Sequence, residues 1–216
     1  MRSVRGRMTV KEDFFMATGN TRTGSKTRAL VEGAAMVALA TALSYVRVFK
    51  LPWGGSITLL SMLPIVFYSI RRGLGAGFAA SFVFSLFQFV QGILDGLFGW
   101  GLTPGMLVAC IFLDYIGAFT ILGIAGIFRK KGLLGEVSGS VLAVFLRFIF
   151  HFLSGVVIWH SAGKLWEGFE TDNSWLYSLL YNGAYMLPEL ILTTVAAVVF
   201  LHIPQIRRLV GGEDIQ

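Results

Sequence analysis

Charge is scarce in this chain of 216 residues: only 14% are Asp, Glu, Lys or Arg, while 55% are hydrophobic. Soluble domains carry about 25% charged residues, so a water-facing globular enzyme is excluded. Cysteine is nearly absent as well. Cys110 alone cannot form an internal disulfide, and its apolar setting reads as packing. No G-x-x-x-x-G-K-[ST] occurs, which excludes a P-loop nucleotide hydrolase, and there is no H-E-x-x-H or Cys/His cluster for a metal. Ser154 follows His151 by three residues, but no oxyanion hole or orienting third group is evident. The expectation is a protein that is not an enzyme and needs no cofactor or metal.

What the chain does have is length in its apolar runs. Six are drawn, at about 29–47, 56–71, 73–94, 104–128, 133–160 and 175–203, each taken as long enough to cross a bilayer. They are continuously apolar and lack the ten-residue alternation of a barrel, so the expected fold class is an all-α integral membrane protein, a bundle of six transmembrane helices. Pro104 fits a helix start, and Pro188 should kink the sixth helix. Residues 1–28 read as a basic, flexible cytoplasmic arm, 29–205 as the membrane domain and 206–216 as a short cytoplasmic tail. A cleaved signal peptide is the alternative for the amino terminus, but the basic leader is long for that role.

The net charge of +6 is concentrated at helix ends, which reads as topology and not as a nucleic-acid surface. Fourteen of the 18 Lys and Arg residues fall on one side of a six-span arrangement, in the arm and at Arg71–Arg72, Arg129–Lys131 and Arg207–Arg208. The positive-inside rule then places both termini in the cytoplasm.

Polar residues inside the runs need a reason to be there. Asp114 lies ten residues into the fourth, followed by Tyr115. Arg147 and His151 are four apart on the fifth, and Gly155 and Trp159 continue that row. Tyr177, Tyr181, Asn182, Tyr185 and Glu189 lie on the sixth. A lone His or Asn in a helix is more often an interhelical hydrogen-bond partner than a ligand contact. Yet Asp114, His151, Trp159, Tyr177 and Asn182 share the outer halves of their helices, and with Trp53 in the first outer loop they would line one externally open cavity. A carboxylate among aromatic rings suits a flat, cationic, ring-containing molecule. Glu189 lies deeper, with Arg147 as its candidate partner. Ala34, Ala38 and Ala42 form a row of small side chains on the first helix, which fits packing within the bundle or docking of a second membrane protein.

These residues resemble a known family in order and spacing: LPWGGSITLLSMLPI at 51–65, RRG at 71–73, FLDY at 112–115, LRFIFHFLSG at 146–155 with Trp159, and LYSLLYNG at 176–183. The family is the thiamin-specific substrate-binding (S) subunits of energy-coupling factor transporters, and the resemblance covers about residues 28–205. It implies a multi-pass subunit of a prokaryotic plasma membrane that captures thiamin from outside. Its implied partners are a membrane coupling (T) protein and two cytoplasmic ATPase subunits, which drive uptake. By position, Asp114 would face the thiamin cation where many members have Glu, and Tyr115 would contact the ligand. His151 and Trp159 would contact its rings with Gly155 between them, Tyr177 and Asn182 would hydrogen-bond its polar edges, and Trp53 would close over it. The Ala34, Ala38, Ala42 row resembles the motif by which S subunits dock on the coupling protein. An S subunit for another vitamin or a thiamin precursor is the nearer alternative, and a cation-coupled secondary transporter the more distant one.

Overall fold

The structure is a computed structural model that describes the backbone of residues 5–51, 54–159, 163–166 and 169–211, with side chains from residue 25 onward except at 163–166, 169 and 211. Helix α1, Arg5–Tyr45, carries its apolar part at Ser25–Tyr45. A short hairpin follows, β1 (Arg47–Lys50) pairing antiparallel with β2 (Ser56–Thr58). Helix α2 (Leu63–Arg72) and helix α3 (Leu74–Leu94) meet at Gly73, whose φ of 89° allows the sharp reversal. Helix α4 covers 104–131, α5 is Gly132–Val157, and a second hairpin pairs β3 (Gly163–Trp166) with β4 (Phe169–Thr171). Helix α6 (Ser174–His202), with Pro188 inside it, and the short α7 (Pro204–Gly211) complete the chain.

Among the described residues, four stretches are long and apolar enough to cross a membrane: Ser25–Tyr45, Leu74–Leu94, Pro104–Val157 and Ser174–His202. The third is a helical hairpin, since α4 and α5 run antiparallel from the turn at Gly132, with Gly135 against Phe128 and Gly139 against Ala125. The expected run at 56–71 is different. Its first residues form β2, Leu60 has a φ of 59°, and the helix begins only at Leu63 with Pro64 in its first turn. Proline is pre-organised for a helix start, and with Pro64 in that place this helix has ten residues. At 1.5 Å per residue it is roughly 15 Å long, about half of a hydrocarbon core. The expectation of one continuous second span is corrected accordingly, and the two hairpins add strand to a fold expected to be all helix.

Helix α2 packs against α1, α3 and α4, α3 against α4, and α5 against both α4 and α6. Met62, Ile65, Phe84, Leu122, Met186 and Leu201 are fully enclosed in the resulting core. Many large apolar side chains face outward instead, among them Phe82, Phe87, Val90, Ile191 and Val199. That distribution is what a lipid solvent favours.

Candidate ligand-binding site

The carboxyl-terminal ends of α1, α3 and α5, the amino-terminal ends of α4 and α6, and the β1–β2 hairpin surround a cavity of about 330 Å³. Seven of the eight sequence-predicted site residues line it: Asp114, Tyr115, His151, Gly155, Trp159, Tyr177 and Asn182. The eighth, Trp53, lies outside the described residues. Its neighbours Gly54, Gly55 and Ser56 border the cavity.

Asp114 stands in a π-helical stretch of α4, Ile111–Gly117. Such wider turns appear mostly as local insertions, frequently at functional sites. Its carboxylate accepts from Ser154 Oγ at 2.5 Å and from the Cys110 thiol at 3.3 Å, and lies 3.0 Å from His151 Nδ1. A carboxylate only accepts, so Nδ1 carries the ring proton and Nε2 presents a lone pair. That Nε2 is buried without a partner among the described residues. Ser154 serves as a brace here, bonded to the acid and not to the histidine, so the group has no nucleophile–base pair.

Aromatic rings form much of the remaining wall. Tyr177 and Tyr181 are parallel, with centroids 6.0 Å apart and planes within 4°, and Trp100 meets Trp159 edge-on at 5.5 Å. His151 contacts the rings of Phe119 and Tyr185 at 6.3 and 5.9 Å. Tyr115 rests on Gly92 of α3, where any Cβ would run into its ring. Gly155 likewise admits Ser178 and Asn182, bringing α6 against α5. The Asn182 amide is largely spent on this junction: it donates to the carbonyls of His151 and Ser178 and accepts from Tyr185 Oη at 2.8 Å. One lone pair on its Oδ1 remains for a ligand.

At the cavity floor Arg147 places its guanidinium 4.2 Å from the centroid of Phe119 and 2.9 Å from the Met62 sulfur. Among the described residues no ion pair joins it to Glu189. Glu189 instead accepts from the Thr58 amide and hydroxyl at 2.5 and 2.7 Å, tying β2 to α6. Gly55 N also donates to Tyr181 Oη, so the hairpin is fastened to α6 twice. At the rim, Arg47 and Lys50 of β1 bind Asp95 just beyond α3, at 2.7 and 3.0 Å. Burial raises the Asp95 carboxyl pKa, but hydrogen bonds and charge from Arg47 and Lys50 outweigh it, and the pKa lies below the ordinary carboxylate value.

The chain matches the family model described as Thiamine transporter protein (Thia_YuaJ) over residues 30–208. It belongs to that thiamine transporter family. Across 192 residues it is 31% identical to the thiamine transporter ThiT of Bacillus subtilis, covering 82% of this chain and 92% of the relative. The corresponding protein of Lacticaseibacillus paracasei is 29% identical over 196 residues, with 82% and 89% covered. The solved structure of ThiT from Listeria monocytogenes shares the fold, with a TM-score of 0.64 at 23% identity over 84% of this chain and 98% of that one. The chain is therefore a multi-pass protein of a prokaryotic cell membrane, and its family is one of transporters.

For this member of the family, the sequence reading left several wall residues out of the site. Ser154 was dismissed as a nucleophile, yet it braces the acid. Trp100, Gln88 and Gln91 line the cavity from α3 and the segment after it, which hold none of the residues expected at the site. Their signal was available: two glutamines three apart in an apolar helix are as unusual there as Asp114 is.

Proposed function

We propose that this protein is a thiamin-binding S subunit of an energy-coupling factor transporter, taking up thiamin captured in the described cavity. The observation that carries this reading is the convergence of one braced carboxylate and several aromatic rings on a single hollow of about 330 Å³. That volume lies in the range of small-molecule sites. Thiamin carries a permanent positive charge on a flat ring joined to a second flat ring. Asp114 offsets the charge, Trp159 and His151 contact the rings, Tyr115 contacts the ligand, and Tyr177 hydrogen-bonds one of its polar edges. Asn182 accepts with its remaining lone pair, and Gly155 lets α6 approach α5 closely enough to place that amide at the wall.

The chain then crosses the bilayer six times. Helix α2 is too short to do so alone, and the Ser56–Ser61 segment, strand β2 followed by a bend at Leu60, supplies the remaining rise. The basic ends at Arg71–Arg72, Arg129–Lys131 and Arg207–Arg208 face the cytoplasm, as do both termini. Delivery runs through a membrane coupling protein and two cytoplasmic ATPases. Ala34, Ala38 and Ala42 are all exposed on α1, while Gly33, Val37, Ala40 and Ser44 of the same helix are turned inward. An outward row of small side chains suits close approach of another helix.

Asp114→Asn keeps the size of the side chain and removes its charge. It should weaken thiamin binding by about 2–5 kcal/mol, the cost typical of losing one partner of a buried charge pair. Titration of intrinsic tryptophan fluorescence with thiamin measures this directly. Unchanged affinity in the variant would refute the charge contact.

A further inference from the structure

Two glutamines of α3 border the cavity, and they are used differently. Gln91 is spent on the fold: its amide donates to the Ser44 carbonyl and accepts from the Ser44 hydroxyl, both at 3.4 Å, fastening α3 to α1. Gln88, one turn earlier, is only 8% exposed, and its Nε2 has no hydrogen-bond partner among the described residues. A buried amide donor left unpaired is costly, and native structures retain few of them without a reason.

Its position supplies the reason. Phe84, one turn before it on α3, packs edge-on against Phe119 at 5.5 Å, and Phe119 in turn meets His151. Gly92, one turn after it, carries the ring of Tyr115. Gln88 therefore borders the cavity between two levels already occupied by aromatic wall residues, and from a helix that contributes no charge there. Asp114 is held towards α5 by Ser154 and His151. The cavity is thus bordered by an acid on one helix and, on another, by a buried amide whose donor has no partner among the described residues.

Resting on the thiamin reading above, we infer that Gln88 is a specificity-determining residue that donates a hydrogen bond from Nε2 to an uncharged acceptor of the bound cation, a hydroxyl oxygen or a ring nitrogen. The carboxylate recognises charge, which many cations share. The amide recognises where the neutral polar atom sits relative to that charge. A site built around a buried donor rejects an analogue that leaves the donor unpaired.

The test compares the full-length protein with Gln88→Met, and with Gln88→Leu as a second variant if the first folds poorly. Binding is read by tryptophan fluorescence for thiamin and for two analogues, one with its hydroxyethyl group reduced to ethyl and one with a pyrimidine nitrogen replaced by CH. Thiamin affinity should fall roughly tenfold in the variant, and the difference should vanish for the analogue missing the recognised acceptor. The ligand-free melting temperature should not fall, because no protein hydrogen bond is lost. Equal thiamin affinity in variant and wild type would overturn the inference, as would a tenfold loss that persists for both analogues or a lowered ligand-free melting temperature. If the wild-type protein itself failed to bind thiamin, the reading of the cavity would fall, and with it this assignment.

Discussion

Helices α4 and α5 run antiparallel from the turn at Gly132, yet one end of the pair is solid and the other is hollow. Towards the turn at Gly132, Gly135 and Gly139 of α5 lie so close to α4 that a Cβ on either would collide with the carbonyl oxygen of Phe128 or Ala125. Ser69 of α2 joins the same contact, donating to the Gly123 carbonyl at 2.6 Å and accepting from Gly126 N at 3.0 Å. At the far end, Asp114 is joined to His151 and Ser154 through side chains instead of backbone contact, and the π-helical stretch widens α4 where the acid stands. Residue size therefore decides where the bundle closes. Small residues give backbone contact, and polar side chains that brace one another keep a space open.

Filling the solid end should have the largest effect on stability. Gly139→Leu pushes a side chain into backbone, which cannot move aside as a flexible side chain can. Overpacking of this kind costs about 3 kcal/mol. We expect a lower melting temperature and poor recovery from membranes, measured by thermal unfolding in detergent. A variant as stable as the wild type would break the contrast between the two ends.

A smaller effect is expected where the hairpin meets the rim of the hollow end. Asp95 is partly exposed and holds Arg47 and Lys50. Its pKa is lowered in the folded protein, so the pair contributes stability above the unfolded carboxylate value near pH 3.9. That contribution is lost as pH falls through the folded value. Exposed pairs of this kind are worth up to about 1 kcal/mol. Melting curves of the wild type and Asp95→Asn from pH 7 to pH 3 isolate the pair, since other carboxylates titrate in both. The wild-type advantage should shrink on acidification, and a gap that grew instead would remove the rim pair from the account.

The two ends also differ in how far the sequence reveals them. Long apolar runs mark α3, α5 and α6 because a helix that faces lipid must be apolar over its whole length. The run at 56–71 misleads for a local reason: its apolar residues are divided between a strand and a helix, and the break is marked by Pro64 and by the polar Thr58 and Ser61. Proline at a helix start carries the same meaning there as at Pro104. Asp114, His151 and Trp159 stand out as polar or aromatic residues in apolar runs, and the cavity brings them together. Which polar atoms are already used is not legible, since it depends on contacts between helices distant in sequence. Asn182 is tied to His151, Ser178 and Tyr185, Gln91 is tied to Ser44, and Gln88 keeps an unpaired donor. Glu189, expected opposite Arg147, instead anchors the hairpin through Thr58.

The smallest effect on stability is expected from the small residues exposed on α1. Ala38 is exposed on α1 between Ala34 and Ala42, whereas Gly139 is buried against a carbonyl. An exposed substitution away from the core shifts stability by within about 0.5 kcal/mol, so Ala38→Trp should melt as the wild type does and bind thiamin equally well. If the row is the face that approaches the coupling protein, the same bulky ring would hold the two membrane proteins apart. Co-purification with the coupling protein and its ATPases should then be lost while binding is kept. Retained assembly would instead assign the row to lipid, and a lost fold would mean that α1 packs more like α5 than its exposure indicates.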